Sequence, residues 1–400
     1  MRILINRSDA IGDTLLTLPL AQIIKEHYPQ AKVYFLINQL TAPLFENHPY
    51  VDGTIILSLP KKIFSIHSLY YFLHSLRNAL LEYKIDHYLY VGGSHFPTLV
   101  ARTLPLTLVG GHQNSFLGFV LLKTGMRQRR SKVKLHEALY NIKLLELIDI
   151  YFKENELHEL KNKKFMPLYL DNQVVTQVNN QEIDFALSHV RPLTLKHGDD
   201  GDSKNHQFIW KDNYIIIHPG MRGHTLNWPA ENYFYLVKKL ILEEEKMKDF
   251  AFIFSYTSGD MPYIQPIWNA INATLDTLPT STKKLREHIF FLNGEEIGLR
   301  AYLRLLQRAK FFVGPSTGTT HLANALGVDL IALYSPIKVQ SAKRWGPFFT
   351  NSHFQVLTPP VSCAAHFYCI HSKCKNYPCM HKIKVETVAQ KVLQAVIRCL

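Results

Sequence analysis

Phe311-Phe312-Val313-Gly314-Pro315-Ser316-Thr317-Gly318-Thr319-Thr320-His321-Leu322-Ala323-Asn324-Ala325-Leu326-Gly327 passes from a short apolar run, through small and polar residues, into a helical pattern. Phe311 to Val313 reads as a buried strand that stops at Gly314-Pro315, and the helix begins after Gly318 and ends at Gly327. A strand, a tight turn and a helix in that order leave the backbone N–H groups of Thr317, Gly318, Thr319 and Thr320 without carbonyl partners in the helix. They converge where the helix dipole also favours negative charge, so the turn suits a phosphate.

Working outward, the same α/β alternation recurs in two series. In the first, Arg2 to Asn6 is an apolar strand, Arg7 to Asp13 a polar turn, and Leu15, Leu18, Ile23 and Ile24 give a helical face from Thr14 to about His27. Strands follow at Lys32 to Ile37, Gly53 to Leu57 and Tyr88 to Val91, with a short helix near Pro43 to Asn47 and a long one over about Phe64 to Tyr83. His136 to Ile150 again has helical spacing. The second series has strands at Tyr214 to Ile217, Phe250 to Phe254, Phe311 to Val313 and Leu330 to Tyr334, with helices at about Glu231 to Glu245 and Leu299 to Arg308. Val385 to Leu400 closes the chain as an amphipathic helix. Between the series the pattern fails around the polar run Lys196 to Asn205, which marks a linker or insertion. The division is therefore 1–175, a first α/β domain with an open parallel sheet; 176–212, the linker or insertion; 213–382, a second such domain; and 383–400, the last helix. Ligands of such sheets bind outside the carboxyl ends of the strands, where residues 7–13, 218–228, 255–260 and 314–320 all fall, which predicts a site between the domains.

Four hundred residues, 47% of them apolar, suffice for two cores. No stretch reaches the roughly 18 apolar residues of a membrane span, and Met1 to Asn6 leads into a strand rather than a secretory signal, so a cytoplasmic protein is expected. The net charge of +13 asks for an acidic partner. Its densest source is Lys123 to Lys134, with Lys123, Arg127, Arg129, Arg130, Lys132 and Lys134 and no acidic residue among them. That segment lacks interleaved aromatics and fits no zinc-finger, RRM or KH pattern, which disfavours nucleic acid. It reads as a solvated loop or as a docking surface for an anionic substrate or membrane face. No GxGxxG follows the first strand, which argues against a dehydrogenase.

Three segments together carry a family likeness: Arg7-Ser8-Asp9-Ala10-Ile11-Gly12-Asp13-Thr14-Leu15-Leu16-Thr17-Leu18-Pro19, His218-Pro219-Gly220 through Asn227-Trp228-Pro229, and Gly314 to Ala323. In this order they resemble the lipopolysaccharide heptosyltransferases, glycosyltransferase family 9. The resemblance implies a GT-B fold, two Rossmann-like domains facing an interdomain cleft with the C-terminal helix crossing back onto the N-terminal domain. It implies an inverting, metal-independent transfer that needs no cofactor. The donor would be a nucleotide sugar, typically ADP-L-glycero-D-manno-heptose. The acceptor would be an anionic lipid-linked saccharide of the lipopolysaccharide core, met in peripheral contact with the cytoplasmic face of the inner membrane.

Asp13 matches the family's catalytic base, although an Asp there also suits a cap for a helix starting at Thr14. Asp9 competes from the same turn. Gly12 lets the turn approach an acceptor, and Arg127, Arg129 and Arg130 are the cations offered to it. Thr317, Gly318 and Thr319 match the diphosphate-binding turn, whose plain alternative is a helix capped by Ser316 or Thr317. His321 is placed either to meet a phosphate or to serve nearby backbone. Asp260, after the Phe250 to Phe254 strand, is a candidate for ribose hydroxyls or a solvated carboxylate.

Two departures stand out. Ser316 occupies a position where family members commonly carry an Asp that contacts heptose, and Leu226 one where many carry Lys or Arg. Arg222 or His224 could supply the missing cation from the same loop. Both departures keep open a different nucleotide sugar and another surface glycan. A non-catalytic nucleotide- or nucleic-acid-binding protein is the reading from charge alone. Cys363, Cys369, Cys374 and Cys379 stand close to His366, His371 and His381, a ligand set that could close a zinc site, but without CxxC spacing reduced thiols are the favoured state and no metal is assigned.

Overall fold

The computed structural model describes residues 1–57, 66–170, 176–193, 213–223, 225–277 and 279–399. It divides into two units, Met1–Asp171 with Phe348–Thr350, and Asn172–Pro347 with Asn351–Leu400.

The first unit is built on strands β1 (Arg2–Arg7), β2 (Lys32–Ile37), β3 (Gly53–Ile56), β4 (His87–Gly92), β5 (Leu108–His112) and β6 (Thr124–Met126). They pair in the order β3-β2-β1-β4-β5-β6, every pair parallel. Ile3, Leu4 and Ile5 are fully buried in sequence, as expected of a parallel strand covered on both faces. The strand order reverses between β1 and β4, so the loops leaving these two strands flank the crevice where such sheets bind ligands.

The second unit holds β7 (Arg191–Pro192), β8 (Tyr214–Ile217), β9 (Ala251–Tyr256), β10 (Ile289–Asn293), β11 (Phe311–Pro315), β12 (Leu330–Leu333) and β13 (Phe354–Leu357). Their order is β13-β12-β11-β8-β9-β10-β7, parallel except for β7, which runs antiparallel to β10 at the edge. Here the reversal lies between β8 and β11, which carry the His218-Pro219-Gly220 loop and the Ser316-Thr317 turn.

Several sequence expectations shift in detail. The first helix starts at Ile11, not Thr14, stops at Leu15, and resumes at Pro19–His27, where Pro19 takes the first helical position that its missing N–H allows. The helix near Pro43 is a 3-10 helix, Gln39–Phe45. Strands β5, β6, β7, β10 and β13 were not anticipated. Of the span 176–212, Thr176–Ser188 is helical and Arg191–Pro192 is β7, both in the second unit, while 194–212, with the polar run at 196–205, lies outside the described residues. The last helix, Val385–Cys399, is grouped with the second unit. Its Val388, Ala389, Val392, Ala395 and Val396 are buried in the core that also holds Leu236, Val237 and Leu240 of the helix Ala230–Glu243. The apolar face demanded a partner and finds one in the core of its own unit. Among the described residues no helix is long and apolar enough to cross a membrane.

Candidate functional site

In the first unit the turn after β1 is organised by Arg7. Its guanidinium is buried, donates from Nη1 to the Val91 carbonyl at 3.1 Å, pairs through Nη2 with the Asp13 carboxylate, and lies 2.8 Å through Nε from Asp9. Room for it exists because residue 92 is glycine; a Cβ there would stand 2.6 Å from Nη1. Burial opposes the charge on Arg7, yet Asp13, Asp9 and Glu137 outweigh it and hold the group protonated beyond its ordinary range. Burial pushes the Asp9 carboxyl up to about 6; Arg7 pulls against that, and the neighbouring Asp13 adds to it.

Asp13 sits at the third position of the helix Ile11–Leu15, whose cap is Ala10 with no side-chain bond. The helix-cap alternative therefore does not describe it; its side chain turns to Arg7 and stays 25% exposed. Thr17 Oγ1 donates to the Asp13 carbonyl at 2.9 Å. The turn is fixed from outside as well, since the Asn38 amide donates to the Asp9 carbonyl and Ser8 Oγ accepts from the Ser94 N–H at 3.1 Å. Gly12 is buried within this turn.

The loops after β4, β5 and β6 complete the group. Tyr90 stacks on His95 with ring centroids 4.4 Å apart and lies 5.2 Å from His112. Burial lowers His112 to about 4, helped by the Arg130 and Arg7 charges, so the ring is neutral at pH 7. Arg130 forms an ion pair with Glu137, itself almost fully buried, and its guanidinium lies over the Tyr140 ring. Its charge is thus matched inside the unit, whereas Arg127 and Arg129 are exposed.

In the second unit the turn after β11 leads into the helix Gly318–Ala325, with Thr317 as N-cap in extended geometry and no side-chain bond to the helix. Neither Ser316 nor Thr317 caps it through its side chain. Thr320 Oγ1 turns back to the Pro315 carbonyl at 2.5 Å, and the Ser316 hydroxyl is hydrogen-bonded to the Tyr334 phenol. His321 is buried one turn into the helix.

Asp260 is buried, and its Oδ2 accepts from the Thr257 N–H at 2.9 Å and the Thr257 hydroxyl at 2.8 Å. It is therefore not a solvated carboxylate. A Cβ on Gly220 would overlap the Asp260 carboxylate, so the loop after β8 needs glycine to lie against it. Behind these, His218 Nδ1 meets Ser255 Oγ at 3.1 Å, and Ser255 Oγ meets the Tyr302 hydroxyl at 2.9 Å. Burial lowers the His218 pKa against the attraction of Asp260. Arg222 is exposed, His224 lies outside the described residues, and Leu226 packs against the core of the unit. The four cysteines are free thiols; burial and the three neighbouring thiols push Cys379 up. Among the described residues no three His, Cys, Asp or Glu side chains are grouped to hold a metal.

Sequence reasoning missed Arg7, Glu137, Gly92 and Gly220 as parts of these groups. A signal existed for Arg7, a lone cation two and six residues from the two acids of one turn. Gly220 lies in a segment that carries the family likeness and Gly92 does not, but in neither case did the sequence announce the contact, since each glycine is needed by a side chain remote in the chain.

Residues 268–375 match glycosyltransferase family 9 (heptosyltransferase). A Haemophilus influenzae protein provisionally named a glycosyltransferase is 23% identical over 372 residues, covering 90% of both chains. The fold is shared with a glycosyltransferase family 9 structure from Veillonella parvula, at TM-score 0.68 and 17% identity over 99% of this chain and 97% of that one. It is shared also with the E. coli ADP-heptose lipopolysaccharide heptosyltransferase II, at TM-score 0.66 and 19% identity over 100% and 99%, and with E. coli heptosyltransferase WaaC with ADP, at 0.61 and 16% over 99% and 100%. With the two sheets and the three sequence segments already described, these matches give the chain the GT-B fold and, over residues 268–375, a match to glycosyltransferase family 9, which supports a transferase.

Proposed function

We propose that the enzyme transfers heptose from ADP-heptose to a lipopolysaccharide core acceptor, with inversion and without a metal. The observation that carries this reading is the state of Asp13, a carboxylate that is partly exposed, excluded from helix capping, and held by a buried arginine at the carboxyl end of β1. Asp13 takes the proton of an acceptor hydroxyl as that oxygen attacks the anomeric carbon. The bond from this carbon to the diphosphate breaks, and ADP leaves with the electron pair. The N–H groups of Gly318, Thr319 and Thr320 hold the departing diphosphate, since no side chain from the N-cap competes for them. Support for the donor comes from E. coli heptosyltransferase WaaC, described with ADP and with ADP-2-deoxy-2-fluoro heptose. Arg127 and Arg129, exposed and unopposed by acids in their segment, serve an anionic acceptor, while Arg130 positions the loop through Glu137. Arg222 takes the place of the cation that Leu226 lacks, and Asp260 meets the ribose through its remaining oxygen.

Asp13→Asn is the test: turnover with ADP-heptose and a core acceptor should fall by about 10²–10⁴-fold while ADP still binds. Turnover within a few-fold of wild type removes Asp13 from the mechanism. A second reading follows from Ser316, buried and engaged with Tyr334, which offers the sugar no carboxylate. Under it the donor is another nucleotide sugar. Calorimetric binding of ADP-, GDP- and UDP-sugars decides, because preference for a donor other than ADP-heptose displaces the first reading.

A further inference from the structure

The helix Phe116–Leu121, between β5 and β6, has six residues, of which Gly118 is buried. Its apolar side chains point outward: Phe116 is 79% exposed, Phe119 54%, and Leu117 and Val120 about as much as Phe119. The helix packs beside Phe96–Thr103, whose Leu99 is exposed too. Leaving so many large apolar groups in water on one short helix forfeits burial available elsewhere in the unit, which marks a surface meant to be covered.

The charges around it say by what. Residues 87–136 contain seven Lys and Arg and no Asp or Glu. Arg127 lies over the Phe119 ring, 5.3 Å from its centroid, and Arg102 donates to the Leu121 carbonyl at 3.1 Å. Lys123 and Arg129 are exposed next to them. A second copy of this surface would set cations against cations, so self-association is opposed. An apolar projection ringed by cations fits an anionic bilayer, where rings enter the acyl boundary and cations meet headgroups. The placement is apt: Ser115 Oγ, at the start of the helix, lies 3.4 Å from His95, which stacks on Tyr90 beside the Arg7 turn.

We propose that the helix Phe116–Leu121, with Lys123 and Arg127, is the element by which this enzyme seats on an anionic lipid bilayer. The purpose assigned to it, meeting a lipid-linked acceptor, rests on the proposed function; the binding itself does not.

The full chain is sedimented with vesicles of phosphatidylcholine alone, and of phosphatidylcholine with phosphatidylglycerol, without donor or acceptor. Binding should require phosphatidylglycerol and weaken with salt. Phe116→Ser with Phe119→Ser should lower the partition coefficient at least about tenfold, and Lys123→Glu about tenfold, with unchanged thermal unfolding and ADP affinity showing that the fold is intact. Equal binding to both vesicle types, no binding to either, or wild-type binding by the double variant overturns the proposal. So does a wild-type dimer in ultracentrifugation that the double variant dissolves, which would give the face to a second copy. Because no turnover is measured, failure of the heptosyltransferase reading leaves this result standing.

Discussion

One cation and two carboxylates share the first turn, and their balance has a pH signature. Asp9 binds its proton at about 6 in the folded chain, against about 3.9 for an unperturbed Asp. Below the lower value both states are protonated, and between the two the folded state holds more protons. Stability contributed at this position is thus present in acid and is lost as pH rises from about 4 to about 6. Asn at position 9 never ionises and escapes the loss. The melting temperature of Asp9→Asn relative to wild type should therefore be more favourable at pH 7.5 than at pH 4.5. A difference in the opposite direction would mean that attraction to Arg7 outweighs burial and that Asp9 is ionised well below 6. Asp9 is the more exposed of the two carboxylates, 35% against 25%, but Asp13 makes the closer contact with Arg7 and stands at the position that matches the family's base, which is why the role in proton transfer is proposed for it and not for Asp9.

Among the elements, the strand-turn-helix from Phe311 to Ala325 separates ligand binding from folding. Gly318 is the first helical residue and Thr317 before it is extended, with φ −145° and ψ 166°. Proline is tolerated at that position and after that conformation, so Gly318→Pro should keep the helix while deleting one N–H. A hydrogen bond to a charged group contributes about 1.5–3 kcal/mol, so ADP should bind about 10–100-fold more weakly with little change in melting temperature. Unchanged affinity would move the diphosphate away from this turn. The turn was legible in the sequence because apolar run, glycine-proline and helical period follow one another without overlap. Elsewhere the signals collided. The Ile289–Asn293 strand is an apolar run, but it follows the helix Pro279–His288 with no turn residue to separate them. Strand β5 carries Gly110 and Gly111, which weaken a strand pattern. The helix at Ile11 begins on Ala10, which no capping preference would select.

At the scale of the whole molecule, amphipathicity showed that the last helix buries one face but not against what, because a stripe of valines and alanines fits any apolar surface. Its partner in the fold, the helix Ala230–Glu243, begins next to Trp228, whose indole N–H donates to the Ile383 carbonyl at 2.8 Å just before the last helix starts. Chain end and strand β8 are thereby tied into one core more than 150 residues apart in sequence. Val392 is fully buried in that core. Val392→Ala removes about two methyl groups and leaves a cavity, a cost of about 2 kcal/mol. If the helix is an integral part of the second unit, hydrogen exchange in this variant should quicken in residues 230–243 and 330–333 and stay unchanged in residues 1–57. Faster exchange in residues 1–57 with protection retained at 230–243 would instead place the helix on the first unit, the arrangement that the family resemblance implied.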